Sequence, residues 1–246
     1  MLIIVLLVPL VIFTGLIVWA ETPPSPMKQA INALKSDSNV TVISGQWLTF
    51  KPTTTNYTTG LIIYPGGRVD YRSYSPLAHA IANEGYLTII MPMPLNLAVF
   101  GANRANDVIN SYPEITSWAI GGHSLGGTMA AQYTYQNPSK VQGLVLWAAY
   151  PASGNNLSKY DLLVTTVHGS NDGLVSTSQI QNSIEMLPPT KVYVEIAGGN
   201  HAQFGYYGDQ SGDKQATITR EAQQSQTLNA TVELLQKLKY PQGHEF

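Results

Sequence analysis

Six short runs, each nearly continuous in apolar and β-branched residues and each closed by glycine, proline or serine, recur from Gly60 onward: GLIIYPGG, YLTIIMPMP, SWAIGGHS, VQGLVLWAAYP, LLVTTVHGS and KVYVEIAGG. A strand with one wet face alternates polar and apolar residues. Runs without that alternation belong to strands buried on both faces, the situation inside a parallel sheet covered by helices. Between the runs lie the helix-like segments YSPLAHAIANEG, GANRANDVINSYP, LGGTMAAQYTYQNP and STSQIQNSIEMLPP, and TITREAQQSQTLNATVELLQKLK follows the last of them. This repeated βαβ order predicts an α/β fold, a doubly wound, mostly parallel sheet with helices on both faces. Ahead of it, VTVIS and WLTFKP predict an opening antiparallel hairpin.

A chain of 246 residues, 44% of them hydrophobic, suits one sizeable core, placed here over residues 39–246. Thirteen basic and fifteen acidic residues leave a formal charge of −2 with no basic cluster, so the electrostatic footprint of a nucleic-acid partner is missing. With no cysteine there are no disulfides, thiolate metal sites or cysteine nucleophiles. No pair of histidines has ligand spacing, so neither a metal nor another cofactor is expected. Nothing in the sequence indicates an oligomeric state.

Leu2 to Ala20 is uninterrupted apolar sequence, and Glu21 is the first charged residue. As a helix it would span about 28 Å, close to the hydrocarbon thickness of a bilayer. Residues 1–20 are therefore expected to be a transmembrane anchor, or else a signal peptide cleaved after Val18-Trp19-Ala20. The domain that follows would lie outside the cytoplasm in the first case and be secreted in the second. Residues 21–38 follow as a proline-rich spacer, ETPPSP, and a short helix over MKQAINALKS, with the spacer expected to hold the domain off the membrane.

Ligands of open α/β sheets bind beyond the carboxyl ends of the strands, so functional side chains should directly follow the apolar runs. Ser124 does so in GGHSLGG, where glycines on both sides permit a sharp strand-to-helix turn, and the following helix aims free N–H groups at the serine. Its base must come from His79, His123, His168, His201 or His244. His201 sits in a glycine-rich loop after the last run, whereas His79 is on a helix, His123 fills the variable slot beside the serine, His168 ends a strand and His244 is near the terminus. Among the carboxylates after the serine, Asp172 lies in a turn directly after LLVTTV. Asp161 precedes that strand, and Glu185 and Glu195 sit within a helix and a strand. The chain order Ser124, Asp172, His201 results.

With these pieces in place the chain resembles the α/β-hydrolase superfamily over roughly residues 40–240: GGHSLGG as nucleophile elbow, HGSNDGLV as acid loop, GGNHAQF as histidine loop and YPGG as oxyanion turn. More narrowly, YPGGRVDYRSYSPLA, MPMPLNLAVFGANRA and HAQFGYYGDQ are similar to bacterial membrane-tethered hydrolases of the dienelactone-hydrolase-like group, although Ser124 departs from the cysteine of true dienelactone hydrolases. The resemblance implies a serine esterase. Ser124 would be the nucleophile, His201 the base and Asp172 its orienting carboxylate. The amide of Leu125 and one from the turn at Gly67 or Arg68 would form the oxyanion hole, with the Arg68 side chain reaching solvent. Tyr71, Tyr74, Met93, Leu95, Trp147, Tyr150, Phe204 and Tyr206 are candidate walls for a small-molecule ester. The connection from Tyr150 to Leu162 is too short for a helical cap, which predicts an open site and short acyl chains. An acyltransferase, perhydrolase or lipase on the same triad, and a non-catalytic binding domain, are the alternatives.

Overall fold

All six apolar runs form strands, and the opening hairpin forms as well. The computed structural model describes residues 14–53 and 57–240. Its strands are β1 (Val40–Ser44), β2 (Leu48–Pro52), β3 (Thr59–Tyr64), β4 (Leu87–Ile90), β5 (Ser117–His123), β6 (Gly143–Trp147), β7 (Leu163–Gly169) and β8 (Val192–Ile196). They make one sheet in the order β1-β2-β4-β3-β5-β6-β7-β8. β2 runs antiparallel to both β1 and β4, and every other pairing is parallel.

The helices are α1 (Lys28–Asn32), α2 (Ser75–Asn83), α3 (Ala105–Ser111), α4 (Leu125–Gln136), α5 (Thr177–Ser183) and α6 (Arg220–Lys239). Successive strand residues face opposite sides of a sheet. Leu61, Ile63, Val145 and Trp147 accordingly pack with Leu77 and Ile81 of α2 and Leu234 and Leu235 of α6. Ile62, Tyr64, Leu144 and Leu146 pack on the other side with Val108 of α3 and Met129 and Tyr133 of α4. Two cores, one per face, explain why the strands read as unbroken apolar runs. Thr219 caps α6 by accepting the Ala222 N–H, and a reciprocal Ser176–Gln179 capping box opens α5.

The chain leaves β3 for β4 on one side and then crosses to β5 on the other, so a topological switch point lies between β3 and β5. A crevice opens there, at the carboxyl ends of the two strands. Residues 148–162, between β6 and β7, contain no helix, and no cap is built on that connection.

Two expectations concern the N-terminal part. Residues 14–21 are helical, residues 1–13 fall outside the described residues, and among the described residues no helix is long and apolar enough to cross a membrane. The expected anchor over 1–20 therefore lies largely outside the described chain. The residues that follow the spacer pack on the domain. The Met27 N–H donates to the Tyr206 carbonyl (2.8 Å), Ala30 is fully buried, and His79 bridges the Ala33 carbonyl (3.0 Å) and Asp37 (2.9 Å). Proline stiffness says how straight a segment runs, not whether a surface nearby offers it partners.

Candidate active site

The turn from β5 into α4 carries Ser124 at φ 53° and ψ −124°, a strained conformation for a residue with a side chain. Its N–H is fixed by the Trp147 carbonyl at the end of β6 (2.9 Å). The flanking glycines are required by space: a Cβ on Gly122 would overlap the Tyr64 carbonyl, and one on Gly126 the carbonyls of Tyr64 and Pro65. The elbow thus presses directly on the end of β3.

Asp172 and His201 meet as the sequence predicts. Nδ1–H of His201 donates to Oδ2 of Asp172 at 2.8 Å, and both side chains are 1% exposed. The other carboxylate oxygen accepts the N–H groups of Leu174 (2.8 Å) and Val175 (2.7 Å), so the acid is held by its own turn. An acceptor at Nδ1 leaves Nε2 of His201 without a proton in the neutral ring, the form that can take one from a hydroxyl. No hydrogen bond joins the Ser124 hydroxyl to His201 in this structure. Catalytic hydrogen bonds commonly tighten only once substrate is seated.

Several residues that sequence reasoning did not reach hold the two loops together. Asp213 accepts from Gly173 N–H (2.9 Å) in the acid loop and from Ala202 N–H (2.8 Å) in the histidine loop. Gln223 of α6 brackets Asn200, accepting its N–H at 2.9 Å and donating to its carbonyl at 2.7 Å. The Arg220 guanidinium donates to the carbonyls of Ala202, Gly205 and Gly208. Each partner is distant in sequence, so no local pattern marks it.

The turn after β3 has three amides, and their partners separate them. The Gly66 N–H donates to the Tyr74 hydroxyl (2.9 Å) and the Arg68 N–H to the Asn96 carbonyl (2.7 Å). The Gly67 N–H has no hydrogen-bond partner among the described residues, and a Cβ there would lie 3.1 Å from the Leu125 side chain. Gly67 and Leu125 are thus neighbours with amides available to an anion, while Arg68 has spent its own. The half-buried Arg68 side chain has partners of its own: Nε donates to the Trp19 carbonyl (2.6 Å) and Nη2 to the Thr22 carbonyl (2.9 Å).

Behind the turn lies a buried relay. The Tyr74 hydroxyl, having accepted the Gly66 N–H, donates to Nδ1 of His123 (2.9 Å), which places the His123 proton on Nε2. That Nε2 is buried and unpaired. Burial, reinforced by the neighbouring His201, holds the His123 pKa well below the usual histidine value, so this ring stays neutral. Its centroid lies 4.4 Å from that of His201 and 5.6 Å from the Phe204 ring, which stacks on it. His123, in the variable slot of the elbow, is therefore the floor on which His201 rests.

Most expected walls prove to be something else. Trp147 is fully buried and donates its indole N–H to Thr231 of α6 (3.2 Å), and Phe204 and Tyr74 are buried in the supports just described. Tyr206 is buried beneath the Arg220 guanidinium (5.7 Å), and Met93 and Tyr71 pack into the two cores. Tyr150 is half-buried, its hydroxyl accepting from Gln179 (3.3 Å), and Leu95 adopts φ 55°. A cavity of about 530 Å³ does border the turn, lined among others by Gly67, Arg68, Leu97 and Tyr207, and by Trp19 from the N-terminal segment. Among the described residues no three histidines or carboxylates cluster as metal ligands.

Residues 60–225 match the sequence model of the alpha/beta hydrolase family. No curated protein matches the chain. Among solved structures, a predicted CIB-like hydrolase from Thermoplasma acidophilum is similar at TM-score 0.62 and 14% identity, covering 81% of this chain and 98% of that one. Est1E from Butyrivibrio proteoclasticus is similar at TM-score 0.57 and 13% identity, covering 81% and 100%. MGS-MChE2, an alpha/beta hydrolase enzyme from a metagenome of sediments of the lagoon of Mar Chica, Morocco, is similar at TM-score 0.54 and 16% identity, covering 68% and 90%. At these identities the likeness is one of fold.

Proposed function

The chain belongs to the alpha/beta hydrolase family, and from that premise we propose that it is a serine hydrolase of carboxylic esters working through Ser124, His201 and Asp172. The observation that carries this reading is the buried Asp172–His201 hydrogen bond, which fixes the imidazole in the tautomer a base requires. Ser124 Oγ attacks the ester carbonyl as His201 Nε2 takes its proton. The tetrahedral oxyanion is met by the amides of Leu125, at the positive end of α4, and Gly67. His201 returns the proton to the leaving alcohol, an acyl-enzyme remains on Ser124, and water activated by the same imidazole releases the acid. Asp172, held by three hydrogen bonds, stabilises the imidazolium.

The few polar groups at the mouth suit uncharged esters, and the missing cap between β6 and β7 favours short acyl chains of about two to six carbons. Each buried CH₂ is worth about 0.8 kcal/mol, so carbons that extend past the walls beside the turn after β3 gain little. Incubation with a fluorophosphonate followed by peptide mass spectrometry tests the reading, together with turnover of p-nitrophenyl esters. Modification of Ser124 and hydrolysis are expected. Labelling at another serine, or none, would end the proposal.

A further inference from the structure

The segment expected to leave the domain instead docks against its oxyanion turn. A helix end leaves its last carbonyls unpaired. At the end of the helical stretch 14–21, Arg68 takes the carbonyls of Trp19 and Thr22, and Asn96 Nδ2 takes that of Ala20 (3.0 Å). The Arg68 guanidinium also lies over the Trp19 ring, 4.4 Å from its centroid, and Ala20 is buried. Arg68 and Asn96 both adopt positive φ (57° and 52°) and are joined to each other through the Arg68 N–H. Two side-chain-bearing residues in a costly conformation, both turned to one segment, mark an arrangement that the surrounding contacts hold in place.

The contact closes a wall. Trp19 borders the cavity of about 530 Å³, which Gly67, Leu97, Tyr207, Asp209 and Gln210 also line. That volume falls in the range of about 300 to 1,000 Å³ typical of small-molecule sites. Ser124 is not among its lining residues, but Gly67, whose free amide would hold the ester oxygen, is. We propose that it receives the apolar arm of the acyl group, and that Trp19 is a specificity-determining residue: the N-terminal segment supplies the wall that the connection from β6 to β7 omits. This rests on the ester-hydrolase reading above.

The test uses the full chain as wild type, Trp19→Ala and Trp19→Phe, with p-nitrophenyl acetate, butyrate, hexanoate and octanoate. In Trp19→Ala the ratio of kcat/KM for hexanoate to that for acetate is expected to fall about 10-fold, through KM, with Trp19→Phe restoring most of it. A ratio unchanged within twofold overturns the inference and leaves Trp19 as packing only. Failure of every variant, wild type included, to hydrolyse any ester or label at Ser124 would instead refute the underlying reading. Because the chain has no cysteine, Trp19→Cys provides a unique thiol. Its maleimide labelling should slow after a hexylphosphonate is fixed on Ser124 but not after a methylphosphonate; equal rates again overturn the assignment.

Discussion

Substituting Gly66 by alanine should cripple the oxyanion turn without touching a proposed catalytic group. A Cβ at that position would stand 2.8 Å from His123 Nδ1 and 3.0 Å from the Tyr74 hydroxyl, against about 3.4 Å for ordinary contact. Both neighbours are buried and bonded to each other, so the backbone must give, by about 0.6 Å. Carried to the adjacent Gly67 amide, that shift spans most of the difference between a sound hydrogen bond and none. Losing one oxyanion donor costs roughly 10²-fold or more in kcat. Stability should drop by about 1 to 3 kcal/mol from overpacking, less the ~0.4 to 1 kcal/mol that alanine gains by restricting the unfolded chain. The assay is kcat on p-nitrophenyl acetate at a temperature where circular dichroism shows the variant folded. Gly154→Ala, with nothing within 4 Å of its new methyl, serves as the control and should behave as wild type. A folded Gly66→Ala protein retaining a third or more of wild-type kcat would refute the placement of the oxyanion site at this turn.

Ser124→Ala should lower kcat by roughly 10⁴ to 10⁶-fold and Asp172→Asn by about 10³ to 10⁴-fold, with unchanged melting for the first; comparable activity in either variant would count against the triad. Tyr74→Phe strands the Gly66 N–H and His123 Nδ1 in the interior, so chemical denaturation should show a loss of about 2 kcal/mol or more, and a neutral result would mean the relay is not formed. Burial depresses the pKa of both His123 and His168, so as pH falls from about 6.5 the unfolded chain takes up protons that the native chain does not. Stability should therefore decline on acidification from that point, by up to about 1.4 kcal/mol per pH unit for each group, and less steeply in His168→Gln. Melting temperatures flat from about pH 7 to 5 would contradict this.

The sheet was legible because its signal is local and repeated: strands such as Leu61–Ile63 and Leu144–Trp147 must be apolar on both faces, and glycine must flank Ser124 wherever the elbow forms. Asp172 and His201 were legible because the fold requires functional groups at strand ends. The walls were not. Trp147, Phe204 and Tyr206 have the same composition as a substrate pocket, and only their tertiary partners, Thr231, His123 and Arg220, assign them to the interior. Hydropathy directs Trp19 toward lipid and carries no sign that Arg68, far along the chain, will bind its carbonyl. His123 looked like a spacer because its partner Tyr74 arrives from another element. What sequence conveyed poorly was therefore pairwise and long-range, a matter of which polar group meets which.

A ribosome delivers this architecture in an awkward sequence. Every strand emerges before α6, yet α6 shares with α2 the cover of one face of the sheet, pairs with the indole of Trp147 and, through Arg220 and Gln223, fixes the loop bearing His201. Until it docks, the nascent sheet shows Val145, Trp147 and Val167 to solvent or to chaperones, an exposure that favours aggregation. The nucleophile turn can form early; the imidazole beside it cannot be set until the last described helix arrives. Competence for chemistry is then a certificate of finished folding, and a stalled or prematurely released chain would carry an elbow with no base to serve it.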